Sequence, residues 1–255
     1  GGSLTAVGIN ALGANTSGAH NVAVGKEALL RNTNGAGNTA VGNFALYQNL
    51  TGSNNSAFGR DALLNNTASN NAAFGKDALR NNTTASNNTA VGISALYTNT
   101  TGTNNVSVGS EALENNTTGS GHVAVGREAL HLNTTGSENT AMGYGALANN
   151  TTGSTNTGIG REALQMNTTA SNNTAVGYQA LEENTTGHSN VAVGSLALDA
   201  NTTGSANIGI GYGSLGSNTT ANNNTAVGYD SLGANINGTQ NVAFGNYVLD
   251  GNSTG

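Results

Sequence analysis

The sequence predicts an all-β fold, a parallel β-solenoid (a β-roll) of about 15 coils with 17 residues per coil. Three observations carry that expectation. A glycine in the same local context recurs at Gly8, Gly25, Gly42, Gly59, Gly75, Gly92, Gly109, Gly126, Gly143, Gly160, Gly177, Gly194, Gly211, Gly228 and Gly245, and thirteen of the fourteen intervals are 17 residues. A fixed period of this size means stacked units, none able to bury its apolar face alone. Leucine follows the glycine by four positions in every copy, from Leu12 to Leu249. The segment before the glycine, as in Thr89-Ala90-Val91, is rich in β-branched residues and reads as a short strand, whereas a helix of ~10 residues has no room between the turns.

Composition narrows the class. Gly accounts for 38 of 255 residues, charged residues for 8% and aromatics for 4%, with no Pro and a formal charge of -6. Disordered chains carry more net charge or more Pro, so an ordered chain is expected. The absence of Cys excludes disulfides and thiolate chemistry. No run of 18 apolar residues exists and no secretory signal opens the chain, so nothing is expected to cross a membrane. The repeat runs over 1–255 as a single array without atypical capping copies. Solenoids usually finish in such caps, so the array reads as a segment of a longer fibre or a unit that stacks end to end.

With positions numbered from the central Gly, -1 is always Val, Phe, Ile or Met, +4 is always Leu, and +3 is Ala in twelve copies. The interval from Gly59 to Gly75 is 16 because Asn66-Thr67-Ala68-Ser69 lacks one residue of the usual turn. Like positions of neighbouring coils should stack ~4.8 Å apart, giving a rod of roughly 70 Å with a perimeter of about 56 Å. Burying one Leu and one Val contributes ~3–5 kcal/mol per coil. Ordering the backbone costs roughly 1–2 kcal/mol per residue, so hydrogen bonds between coils and further burial must supply the rest.

Side chains alternate faces along a strand, so -3 and -1 are expected inside and -2 outside. Position -2 is Ala in twelve copies, otherwise Ser107, Gly158 and Gly209. Small residues on an outward face suggest close contact with another chain, most naturally in a homotrimer. The other reading is a sharp corner that admits only small side chains.

Asn occupies -4 in thirteen copies, with Leu4 and His122 as exceptions, and +7 in all fifteen. Stacked identical amides can bond to one another as a ladder, and Asn suits turns. The +7 row also heads an N-x-[ST] acceptor at Asn15, Asn49, Asn82, Asn99, Asn116, Asn133, Asn150, Asn167, Asn184, Asn201, Asn218 and Asn252. A sugar on each would form a glycan stripe along one edge. The competing reading is one Thr-rich turn copied many times.

These residues carry a family likeness. The unit Asn-Thr-Ala-Val-Gly-x-x-Ala-Leu-x-x-Asn-Thr-Thr-Gly, as at 88–102, resembles the 17-residue repeats of bacterial and phage tail-fibre-domain proteins along the whole chain. Val24-Gly25 and its equivalents are more loosely similar to the coils of trimeric autotransporter adhesin heads. The resemblance implies an extracellular cell-surface fibre or a virion appendage, and no chaperone-like or receptor-binding tip accompanies it.

The sequence offers little chemistry. His20, His122, His131 and His188 lie in different copies at positions without metal-ligand spacing, and the acids form no calcium-binding ladder. Gly209-Ile210-Gly211-Tyr212-Gly213 lacks the Lys and helix of a phosphate loop. No catalytic residue, metal site or cofactor is expected, and the chain is read as a non-enzyme. Charges gather at +1 and +2, as in Arg60-Asp61, Lys76-Asp77 and Arg161-Glu162, where pairing between adjacent coils is expected. No Lys or Arg follows Arg161, so nucleic-acid binding is not expected. Tyr144, Tyr178, Tyr212 and Tyr229 share position +1, suited to packing between coils or to stacking on sugars. The function these features favour is structural: the shaft of an extracellular fibre or filament, self-associating and carrying covalent glycans on its sequons. The alternative is an adhesin or phage tail-fibre segment binding host-surface glycans. A remote third is an ice-binding solenoid using Thr at +8 and +9.

Overall fold

The computed structural model describes residues 2–254. Among the described residues the chain is an all-β parallel solenoid of fifteen short strands, divided into two compact units, Gly1–Arg127 and Glu128–Gly255. The first unit holds β1 (Leu4–Val7), β2 (Asn21–Val24), β3 (Thr39–Val41), β4 (Ser56–Phe58), β5 (Ala72–Phe74), β6 (Thr89–Val91), β7 (Val106–Val108) and β8 (Val123–Val125). The second holds β9 (Thr140–Met142), β10 (Thr157–Ile159), β11 (Thr174–Val176), β12 (Val191–Val193), β13 (Ile208–Ile210), β14 (Thr225–Val227) and β15 (Val242–Phe244). Within each unit every strand pairs in parallel with the next at one-repeat register, as in Thr89↔Val106, Ala90↔Ser107 and Val91↔Val108. The 16-residue copy is absorbed without a slip, since Phe58 still pairs with Phe74.

The turn that follows each strand alternates the direction of its backbone amides. Gly92 N–H and Ser94 N–H donate back to Phe74 and Lys76 of the preceding coil, at 2.8 and 3.0 Å. Leu96, Thr98 and Thr100 N–H donate forward to Ala112, Glu114 and Thr117, at 3.0, 2.9 and 3.0 Å. This alternation uses left-handed residues: Ser94 has φ 55° and Leu96 φ 54°. A left-handed non-glycine residue costs roughly 1–2 kcal/mol. Leu accepts it at every copy because glycine there would leave the interior empty. The central Gly is a separate case. Gly92 has φ +138°, outside what L side chains adopt, and a Cβ on it would lie 2.3 Å from the carbonyl oxygen of Gly109.

The interior is built from the Leu row at +4 and two Ala rows at +3 and -2. Leu29, Leu96, Leu164 and the other +4 leucines between the two end coils are fully buried, as are Ala95 at +3 and Ala90 at -2, while Leu249 in the last coil is exposed. The structure departs from the expected strand pleat. The strand pleat is inverted: -2 faces the core, while Val91 at -1 is exposed. The Ala row is therefore not a chain–chain contact; it fills the interior, where only small side chains fit. The physical reason lies opposite the strand. A Cβ placed on Gly158, a -2 residue, would sit 3.3 Å from Leu147 Cγ and 3.1 Å from the Ala163 carbonyl oxygen. Leu from the neighbouring coil already occupies that space, so only Gly, Ala or Ser stands there, and the bulky β-branched residues must turn outward.

Candidate functional site

The two Asn rows are part of the frame. In most of the +7 row the amide nitrogen donates twice, as Asn99 Nδ2 does to Asn82 Oδ1 at 2.8 Å and to the Gly102 carbonyl at 2.9 Å. The same pair of bonds recurs at Asn49, Asn82, Asn116, Asn150, Asn167, Asn184, Asn201 and Asn218. Asn133 Nδ2 donates to Gly136 at 3.1 Å. These ten side chains are fully buried, whereas Asn15 and Asn252 at the two ends are half-buried. The -4 row works differently. Its Oδ1 accepts the backbone N–H of the next Asn, as Asn88 Oδ1 does from Asn105 at 3.0 Å. Its Nδ2 reaches the +10 carbonyl of the following turn, as Asn88 reaches Gly102 at 2.9 Å. The Gly102 carbonyl thus ties both rows together, from Asn88 on one side and Asn99 on the other. His122 holds the place of Asn in this row, fully buried with its N–H on Asn105 Oδ1.

At nine of the twelve sequons the amide nitrogen therefore bonds both to the neighbouring coil and within its own turn, and a sugar attached there would replace one of those two bonds. The adjacent Thr rows face two ways. Thr100 at +8 is half-buried with its hydroxyl on the Thr117 carbonyl, and Thr101 at +9 is exposed.

The outward -1 row forms an apolar stripe along each unit. Phe58 and Phe74 stack at 5.0 Å with planes 7° apart, 38% and 41% exposed, in the first unit. Met142, Ile159, Val193 and Ile210 continue the pattern in the second.

Three of the charge pairs at +1 and +2 close within one coil. Arg60 pairs with Asp61 at 3.1 Å, Lys76 with Asp77, and Arg161 with Glu162 at 3.0 Å, all neighbours within one coil rather than partners across two. The left-handed residue at +2 turns its carboxylate back beside +1. Across coils the cations meet aromatic rings instead. Arg80 reaches Asp77 at 3.4 Å and lies 5.8 Å from the Tyr97 ring centre. Arg161 lies between Tyr144 and Tyr178, 5.9 and 5.8 Å from their centres.

One feature of the second unit was not legible from the repeat. A shallow open groove of about 630 Å³ runs over Gly213, Gly216, Gly233 and Ala234, walled by Tyr212, Tyr229, Tyr247, Leu196, Asp199, Asp230 and Asp250. Tyr212 and Tyr229 stack at 5.1 Å with planes 13° apart, and Tyr247 follows at 5.2 Å, tilted by 58°. Asp230 Oδ1 leans over the floor, 2.4 Å from where a Cβ on Gly213 would stand. Burial pushes the Asp199 carboxyl above its ordinary range, and Tyr247, then burial and Asp230, push the Tyr229 phenol up. The groove exists because +5, a large side chain in many copies, is glycine at both Gly216 and Gly233. Loss of that side chain in two consecutive copies was the available signal.

Comparison with known proteins returns no matching family model and no matching curated protein.

Proposed function

We propose that this chain is a structural repeat protein, a shaft segment of an extracellular fibre whose copies associate laterally as a homotrimer. The observation that carries the reading is the regular coil-to-coil frame within each unit: strand register, buried Leu and Ala rows, and two Asn rows recur from copy to copy with few exceptions. Such a frame resists bending and offers the same surface at each step, which suits a spacer. The apolar stripe at -1 is the surface suited to lateral contact, since contiguous exposed apolar patches mark interaction sites. Three copies turning this stripe towards a common axis would bury it. In this reading the Asn-Thr-Thr turns serve the frame, and glycans would be confined to the half-buried Asn15 and Asn252.

Light scattering after size exclusion tests the association. The expected mass is three times the 25.2 kDa chain, falling to one chain when Phe74→Glu and Val91→Glu are combined. A wild-type chain that stays at 25.2 kDa at micromolar concentration rejects lateral assembly.

A further inference from the structure

We propose that the C-terminal groove binds alkylguanidinium or alkylammonium groups between its tyrosines and its carboxylates. The chain holds seven basic residues. All of them precede residue 162, together with seven acids, so residues 162–255 hold six acids, no Lys or Arg, and the whole net charge of -6. Earlier in the chain, tyrosines and acids on this face receive a cation from the chain itself. Arg80 joins Asp77 to Tyr97, and Arg161 joins Glu162 to the faces of Tyr144 and Tyr178.

In the groove the rings and acids persist and the cation does not. No Lys, Arg or His lines it, and the glycine floor leaves space where Arg80 sits in its own coil. Asp199 Oδ1 would lie 3.4 Å from a Cβ on Gly216, and Asp230 Oδ1 3.6 Å from one on Gly233, so both carboxylates border the same floor. Rings supply a face or edge for the alkyl part and the cation, and the carboxylates supply charge-assisted hydrogen bonds. Burial already disfavours the ionised form of Asp199, a cost that a bound cation offsets. A neutral sugar would use the rings and leave that cost in place.

The cation has two sources: a separate polyamine or basic peptide, or a second copy presenting Arg60 and Lys76, whose side chains are 66% and 54% exposed. Calorimetric titration of the full chain with spermidine and with tetra-arginine, at low salt, tests the first. Binding is expected, at least about tenfold weaker in the Asp199→Asn/Asp230→Asn double variant and weakened by salt. Gly233→Arg, which places a guanidinium three residues after Asp230 as Arg80 follows Asp77, should fill the groove and abolish binding of either probe. Sedimentation velocity tests the second source. Association that is lost both in the Asp199→Asn/Asp230→Asn variant and in Arg60→Gln/Lys76→Gln assigns the cation to another copy. The proposal is overturned if neither probe binds and neither pair of substitutions alters association, or if binding survives the double variant. It is equally overturned if cellobiose binds in place of the cations.

Discussion

Gly92 shows how little freedom a single position has in this frame. Its φ of +138° excludes a side chain, and the space a methyl would need belongs to the Gly109 carbonyl, 2.3 Å away. Gly92→Ala should therefore cost more than ~3 kcal/mol, through strain and a backbone clash that no rotamer relieves. Gly251→Ala, with nothing within 4 Å, should change stability by less than ~0.5 kcal/mol. Denaturant titration of the two variants gives the comparison, and equal effects would remove the clash as the reason for the conserved spacing of these glycines within the chain. Ser214 is the opposite case, a residue whose replacement should help. It stands at +3, where most copies have Ala, and its buried hydroxyl has no partner. Ser231 at the same position reaches the Ala243 carbonyl at 3.4 Å. Ser214→Ala should then stabilise by ~1 kcal/mol, the order of an unmade buried hydrogen bond. A thermal melt of Ser214→Ala below that of the parent would show that the hydroxyl is satisfied after all.

At the scale of the coil, the period, the leucine row and the need for glycine were all legible, because each depends on spacing alone. The pleat was not. A three-residue strand such as Thr89-Ala90-Val91 alternates correctly whichever face is inside, and the bulkier residues are the usual choice for a core. What decides the matter is the side chain across the coil: left-handed Leu places its bulk over -2, and only the folded turn reveals that. The +7 ladder was readable from identical stacked amides, yet its consequence for the sequons depended on seeing both Nδ2 hydrogens engaged. The short coil is the place to test the ladder. Asn66 Nδ2 bonds Ala68, two residues on, instead of a residue three on, and Asn49 Oδ1 is left buried without a donor. Inserting Thr after Thr67 would recreate the Asn82-Thr83-Thr84-Ala85 turn and return Asn66 to Asn49. The expected gain is ~1–2 kcal/mol, read by chemical denaturation. An unchanged or lower stability would mean that the shortened turn already relaxes without cost.

For the molecule as a whole, the uneven charge decides how stability responds to pH. Balanced acids and bases up to Arg161 neutralise one another, whereas the remainder is acidic throughout. Asp199 and Glu182 within it are raised above their ordinary values, in both cases chiefly by burial, with Glu183 adding repulsion to each. A carboxyl whose folded pKa exceeds its unfolded one holds its proton more tightly when folded. Its contribution is complete below the unfolded value and is lost as pH rises through the folded value. The melting temperature of the chain should therefore rise as pH falls from neutrality towards the raised carboxylate range, opposite to a protein held by ion-paired acids. Asp199→Asn, which cannot ionise, should melt higher than the parent at neutral pH and show a flatter profile across that window. Added salt should narrow the gap between them, because part of the penalty is repulsion from Glu183 and salt screens it. Differential scanning calorimetry across the window measures all three effects. A parent melting temperature that falls steadily on acidification would mean that the paired carboxylates before Arg161 outweigh the buried ones after it, and that the acidic groove is not the site where ionisation costs the fold most.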